Sequence, residues 1–294
     1  MATLNQWIAG ARPRTIPAAV APVAVGTGAA YVLQRANPGY AVLALLVSVL
    51  LQIGVNYAND YSDGIRGTDE DRVGPVRLVG QRLATPSNVK LAAFIAFFWA
   101  GFCGLALVTL SSTWWLLIVG AAAIWAAWKY TGGDKPYGYM GLGEVFVFVF
   151  FGLVATLGTT YTQAKELNLA AVAGSIGVGA LAVAILLVNN LRDIPGDTVS
   201  GKRTLAVRIG DRSTRVLFVG MYVIALAAVV VIAFDQPWAA LGVVGLLPAV
   251  VPIRTVIAGR KGRDLVPALA GAGLTSLTYG LTLGLGLYLA YRVG

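Results

Sequence analysis

The sequence holds thirteen Asp and Glu residues, and they are unevenly spread. Five fall between residues 60 and 71: Asp60, Asp63, Asp69, Glu70 and Asp71. Two more are Asp193 and Asp197. Both groups begin where a long apolar run ends. The first reads Val55-Asn56-Tyr57-Ala58-Asn59-Asp60-Tyr61-Ser62-Asp63. Continued as a helix, it sets Asn56, Asp60 and Asp63 on one face, with Asn59 one turn before Asp63. The second reads Val188-Asn189-Asn190-Leu191-Arg192-Asp193-Ile194-Pro195-Gly196-Asp197. It repeats Val-Asn with an Asp four residues after the Asn. Pro195, between the two acids, is a point where a helix can end. Oxygen-only donors of this kind suit Mg²⁺, which prefers one or two carboxylates plus substrate phosphates and water. Two matched acidic helix ends predict a pseudo-symmetric site in which two metal ions clamp a diphosphate.

Basic residues follow each acidic group. Arg72, Arg77 and Arg82 follow the first, and Lys202 and Arg203 the second. A third polar stretch, Tyr130-Thr131-Gly132-Gly133-Asp134-Lys135-Pro136-Tyr137-Gly138, adds Lys135 and a glycine pair. Acids, a metal and Lys/Arg together can hold a diphosphate and stabilise it as a leaving group. Taken singly, either acidic group reads as well as solvated charge at a helix end. The run 69–71 holds at least one acid that is only solvated, and Asp211 and Asp264 read as structural. The tyrosines taken singly read as interfacial aromatics, and Gly132-Gly133 as a hinge. The shared Val-Asn-x-x-x-Asp pattern is what favours chemistry at both ends together.

Other chemistries are excluded by what the chain lacks. There is no His, hence no His general base, Ser-His-Asp triad or His-ligated zinc. The one cysteine, Cys103, sits in an apolar run, which leaves no disulfide framework and no thiolate metal site.

The elements that must carry these residues are membrane helices. Over 294 residues, 57% are hydrophobic and only 12% charged, about half the charge of a soluble domain. Apolar runs predict an all-α, polytopic integral membrane protein with nine transmembrane helices in one domain spanning 1–294. The spans fall at about 16–33, 40–57, 89–110, 114–130, 142–162, 169–190, 214–234, 238–258 and 268–290. No span has an acid in its middle. Glycines inside them allow close helix approach, and Trp114, Trp115, Trp125, Trp128 and Trp238 sit near span ends. Pro17 and Pro22 in the first run argue against a cleaved signal peptide, so residues 1–15 read as a short interfacial segment before a retained span. With nine spans, 19 of the 22 Lys and Arg fall on one side, and only Arg35, Lys165 and Arg292 on the other. The positive-inside rule then puts the N-terminus and the acidic loops in the cytoplasm and the C-terminus outside, in a plasma membrane. The net charge of +9 therefore marks cytoplasmic loops rather than nucleic-acid binding.

These motifs closely resemble the UbiA superfamily of membrane aromatic prenyltransferases. That superfamily carries Asn-x-x-x-Asp-x-x-x-Asp after its second span and Asp-x-x-x-Asp after its sixth. Asn59 and Asp63 match the start of the first, and Asp193 and Asp197 match the second. The third acid of the first signature would fall on Gly67, and Asp69 lies two residues later. Asp-Arg-x-Gly-Pro-x-Arg at 71–77 resembles the branch acting on 1,4-dihydroxy-2-naphthoate. So do Tyr-Thr-Gly-Gly-x-Lys-Pro-Tyr-Gly-Tyr at 130–139, Asn-Asn-x-Arg-Asp at 189–193, Gly-Lys-x-Thr-Leu-Ala-Val-Arg at 201–208 and Ala-Arg-Pro-Arg-Thr at 11–15.

The resemblance implies a UbiA-type fold and transfer of a polyprenyl group from polyprenyl diphosphate to 1,4-dihydroxy-2-naphthoate, with loss of diphosphate and carbon dioxide. It implies Mg²⁺ on Asn59, Asp63, Asp193 and Asp197, with Asp60 and Asp69 as further candidates. Lys135, Arg72, Arg77, Lys202 and Arg203 would hold the diphosphate. Tyr57, Tyr61 or Tyr130 would face the allylic cation. Asn56, Tyr137, Asn189 and Asn190 complete the substrate-binding set, and Asp60, Asp63, Asp193, Asp197 and Lys135 the catalytic one. The lipid tail requires a cavity open sideways to the bilayer. Other acceptors such as 4-hydroxybenzoate, and a cation-coupled transporter, stay open as alternatives; acids gathered at one face rather than at mid-membrane speak against transport.

Overall fold

A computed structural model describes residues 2–67 and 76–293. Asp69, Glu70, Asp71 and Arg72 lie outside the described residues. The described residues form helices and turns, with no strand among them. The helices are α1 (Leu4–Gly10), α2 (Pro17–Val32), α3 (Pro38–Ile65), α4 (Pro86–Ser111) and α5 (Leu116–Lys129). Then follow α6 (Gly143–Ala164), α7 (Leu169–Val199), α8 (Leu205–Asp235), α9 (Pro237–Ile257) and α10 (Val266–Val293). Every expected span coincides with one of them. Six of these helices, and α10 with the turn before it, are long and apolar enough to cross a membrane. The segment before α2 and α2 itself form a bent pair, at 49°. α5 is shorter, about 21 Å against a hydrocarbon core of about 30 Å. The chain is a multi-pass membrane protein.

Local sequence sets the helix starts. Asn37, Thr85, Asn168 and Thr204 each accept a backbone N–H of the first turn of α3, α4, α7 and α8. Pro38 and Pro86 open α3 and α4, where a missing N–H costs nothing.

α8 starts at Leu205, nine residues before its expected span, with a kink at Gly210 (φ +79°), and two helices overrun at their ends. α3 continues from 57 to Ile65, and α7 from 190 to Val199, through Pro195. In a bundle with little water, a continuing helix satisfies its own backbone and a loop would not. The overrun keeps Asn59, Asp63, Asp193 and Asp197 on rigid helix rather than on loops.

Packing relies on bare backbone. α2 packs most extensively on α10. There a methyl on Gly280 would lie 2.5 Å from Ala21 Cα, and one on Gly284 would lie 2.6 Å from the Ala24 carbonyl oxygen. α6 contains a π-helical stretch, Phe148–Val154, and its Gly152 meets Gly179 of α7 just as closely. The buried core centres on α7, with Val25, Phe218, Tyr279 and Leu283 around it.

Candidate active site

A cavity of about 1560 Å³ opens between α3, α5, α6 and α7. Its long wall is apolar, formed by Val47, Leu51, Leu107, Val119, Ala123, Phe150, Leu157 and Leu186 among others. Ala44 and Asp63 both line it, and they lie about 28 Å apart along α3. A cluster of polar groups lines the end where α3 and α7 finish. They are Asn59, Asp63, Arg77, Thr131, Tyr139, Asn189, Asn190, Arg192, Asp197 and Lys202.

Lys202 ties the two motifs together. Its backbone N–H donates to the Asp197 carbonyl at 2.8 Å, closing the end of α7. Its Nζ donates to Asp63 Oδ1 at 3.1 Å and sits 4.6 Å from the centre of the Tyr139 ring. Tyr139 also donates its hydroxyl to Asp63. Lys202, Asp63 and Asp197 are all buried. Asn59 Oδ1 accepts from Thr131 Oγ1 at 2.8 Å, and Arg66 donates to the carbonyls of Thr131 and Gly133. Loop 130–139 is thereby fastened over α3. Tyr137 donates to the Ala126 carbonyl at 2.8 Å and stacks on Phe146; burial pushes its phenol pKa up, so it stays a neutral donor.

Other expected site residues sit elsewhere. Asp60 does not line the cavity, and its carboxylate accepts the backbone N–H groups of Leu78 (2.6 Å) and Val79 (3.1 Å). It anchors the returning loop. Asp60→Asn is therefore expected to cost about 1–3 kcal/mol of stability with chemistry retained, read as a lower thermal midpoint in detergent beside unchanged turnover at low temperature. Asp193 is gripped by Arg192, whose Nε and Nη2 meet its two oxygens at 2.7 and 2.8 Å, and it is not part of the cavity wall. Arg192 Nη2 also holds Asn189 Oδ1 at 2.8 Å.

Lys135 and Arg203 are exposed and do not line the cavity. Loop 132–135 turns outward at Gly133 (φ +82°), which leaves the Lys135 charge in solvent. Arg203 contributes its backbone, donating to the Tyr139 carbonyl at 3.0 Å. Asn56 lines the cavity with its amide already engaged: Nδ2 donates to the Ala11 carbonyl and Thr15 Oγ1, and Oδ1 accepts from Gln52. Of the tyrosines expected at the cation, Tyr130 lines the cavity. Tyr57 bonds the Trp7 carbonyl, and Tyr61 stacks on Trp128. Asp69 and Arg72 are outside the described residues.

Tyr139, Thr131, Arg66 and Arg192 were not singled out from the sequence as site residues. Tyr139, Thr131 and Arg192 stand inside the motifs quoted above, and that was their signal.

Among the described residues no three acidic side chains converge as a metal cage. The cavity instead offers two carboxylates and amide oxygens. That donor chemistry fits a hard cation completed by substrate phosphate oxygens and water.

Polar clamp, apolar tunnel and helical bundle together suit an amphipathic ligand with an anionic head. The UbiA prenyltransferase family matches residues 19–270, and the chain belongs to that family. A relative from Mycobacterium tuberculosis, named 1,4-dihydroxy-2-naphthoate octaprenyltransferase, is 53% identical over 96% of both chains. The protein of the same name from Escherichia coli is 42% identical over 71% of this chain and 70% of its own. A solved UbiA homolog from Archaeoglobus fulgidus, bound to DMAPP and Mg²⁺, shares the fold. Its TM-score is 0.63 at 14% identity, covering 97% of this chain and 99% of that one.

Proposed function

We propose that this enzyme transfers a polyprenyl group from polyprenyl diphosphate to 1,4-dihydroxy-2-naphthoate, releasing diphosphate and carbon dioxide and giving demethylmenaquinol for menaquinone biosynthesis. The observation that carries the reading is the Lys202 bridge between Asp63 and the end of α7, set at the head of an apolar tunnel. The names of the relatives support the naphthoate acceptor.

Asn59, Asp63 and Asp197 are the residues that would hold Mg²⁺, with Asp193 beside them. Bound there, Mg²⁺ supplies positive charge against the diphosphate. Lys202 has ammonium hydrogens beyond the one given to Asp63, and with Arg77 it donates charge-assisted hydrogen bonds to the leaving group. The allylic C–O bond breaks with its electron pair going to diphosphate. The Tyr130 face steadies the allylic carbon. The electron-rich naphthol ring supplies the pair for the new C–C bond, and the carboxyl group leaves as carbon dioxide. The tunnel wall keeps water from the cation. The tail leaves sideways between α5 and α6, which meet at one end through Trp115 on Tyr161. The acidic end faces the cytoplasm of a plasma membrane, with the C-terminus outside.

The test is mass spectrometry of products from purified protein given 1,4-dihydroxy-2-naphthoate, a polyprenyl diphosphate and Mg²⁺. A prenylated, decarboxylated naphthol is expected. Product from 4-hydroxybenzoate alone moves the protein to another acceptor, and no prenylation of any aromatic overturns the reading.

A further inference from the structure

We propose that Glu144 is a positioning residue for the acceptor, acting through Asn190 to aim a carbonyl oxygen at the acceptor's ring hydroxyl; this rests on the phenolic acceptor chemistry proposed above. Glu144 is the second residue of α6 and 5% exposed, a buried carboxyl group that the reaction scheme does not use. Its Oε1 accepts from Asn190 Nδ2 at 2.9 Å. Asn190 is 6% exposed and forms part of the cavity wall.

Glu144 Oε1 is the acceptor in this contact, so the nitrogen end of the Asn190 amide lies against it. Asn190 Oδ1 is then turned away from Glu144, and among the described residues nothing donates to it. Two neighbouring amides have their oxygens engaged. Asn56 is tied to Ala11, Thr15 and Gln52, and Asn189 Oδ1 is held by Arg192. Depth fits as well. Asn190 lies about 10 Å further into the bundle than Asp197 along α7, below the diphosphate end and where the attacking ring must meet the allylic carbon. Tyr130 occupies the same corner: a methyl on Gly143, the residue before Glu144, would lie 3.3 Å from its ring. A hydroxyl held by a neutral carbonyl fixes the ring's orientation and enriches the carbon that attacks.

The experiment measures both Michaelis constants on purified full-length protein in detergent, for Glu144→Gln and for the exchanged pair Glu144→Gln with Asn190→Asp. An amide at 144 can offer its own N–H and let the Asn190 amide turn over. In the exchanged pair that N–H meets one carboxylate oxygen at 190, and the second oxygen again faces the cavity. Glu144→Gln is expected to raise the acceptor KM about five- to tenfold, the size of one neutral hydrogen bond, with the donor KM within about twofold. The exchange is expected to bring the acceptor KM back to within about twofold of wild type. Unchanged constants, a parallel rise in both, or an exchange that restores nothing overturns the proposal. Where Glu144→Gln fails to fold, Asn190→Ala carries the same acceptor-against-donor split. A wild-type enzyme that ignores 1,4-dihydroxy-2-naphthoate and prenylates 4-hydroxybenzoate overturns the assigned acceptor only, and the split is then read with 4-hydroxybenzoate.

Discussion

Asp63→Asn is expected to fold with a lowered thermal midpoint, and to transfer prenyl groups about a thousandfold more slowly. The substitution changes no volume. It removes one negative charge at the point where Lys202 and the Tyr139 hydroxyl converge. Lys202 is buried, and an ammonium without a counter-charge is poorly tolerated there. It either leaves the site or holds the diphosphate in the wrong place. A donor of cation charge and a holder of the metal's share of the diphosphate are thus lost together. The check is kcat at saturating donor and acceptor, beside thermal midpoint and size-exclusion profile. Activity within about tenfold of wild type would sink the role given to Asp63. Asp60→Asn, three residues earlier, is the matched control, since its carboxylate serves the backbone of 78–79 and not the cavity.

Removal of divalent cations is expected to abolish turnover, with full recovery on adding Mg²⁺ and poor recovery with Ca²⁺. A diphosphate carries more negative charge than Lys202 and Arg77 can balance, so the C–O bond does not ionise without a further cation. The two cations differ in size and in the number of oxygens they gather, and a site with few protein oxygens favours the smaller, well-hydrated ion. The measurement is diphosphate release in EDTA, then across a titration of each metal. Undiminished release in EDTA would assign the whole of leaving-group stabilisation to the cationic side chains.

The spans were legible because lipid permits little besides apolar helix. Their inner ends were not. Hydropathy falls at 57 and 190, yet the helices run on to Ile65 and Val199, because a polar helix end inside a protein cavity satisfies its backbone without being hydrophobic. The same blindness explains Asp60. By helical geometry it shares a face with Asn56 and Asp63, but the cavity's centre falls nearer Asn59, and Asp60 sits at the margin where the returning loop passes. Lys135 and Arg203 were read from charge and position in a motif. Charge does not say which way a loop turns, and in both cases the neighbouring backbone does the holding while the charge stays in solvent. Tyr139 shows the converse: a tyrosine at a span end reads as an interfacial aromatic until Asp63 is seen to accept its hydroxyl.

The glycine contacts between α2 and α10 carry a consequence for how the protein is made. α2 leaves the ribosome well before α10, the helix it packs against most closely. Its bare-backbone stripe at Ala21 and Ala24 has no mate while the seven helices α3 to α9 are synthesised and inserted. That seam is therefore fastened only when α10 is inserted. Until α10 arrives, α2 is held through helices such as α6 and α7, where Gly26 meets Thr159 and Val25 meets Gly174. Closing the α2–α10 seam is a late step of assembly, after α3 to α7, which carry Asn59, Asp63 and Asp197, have been inserted.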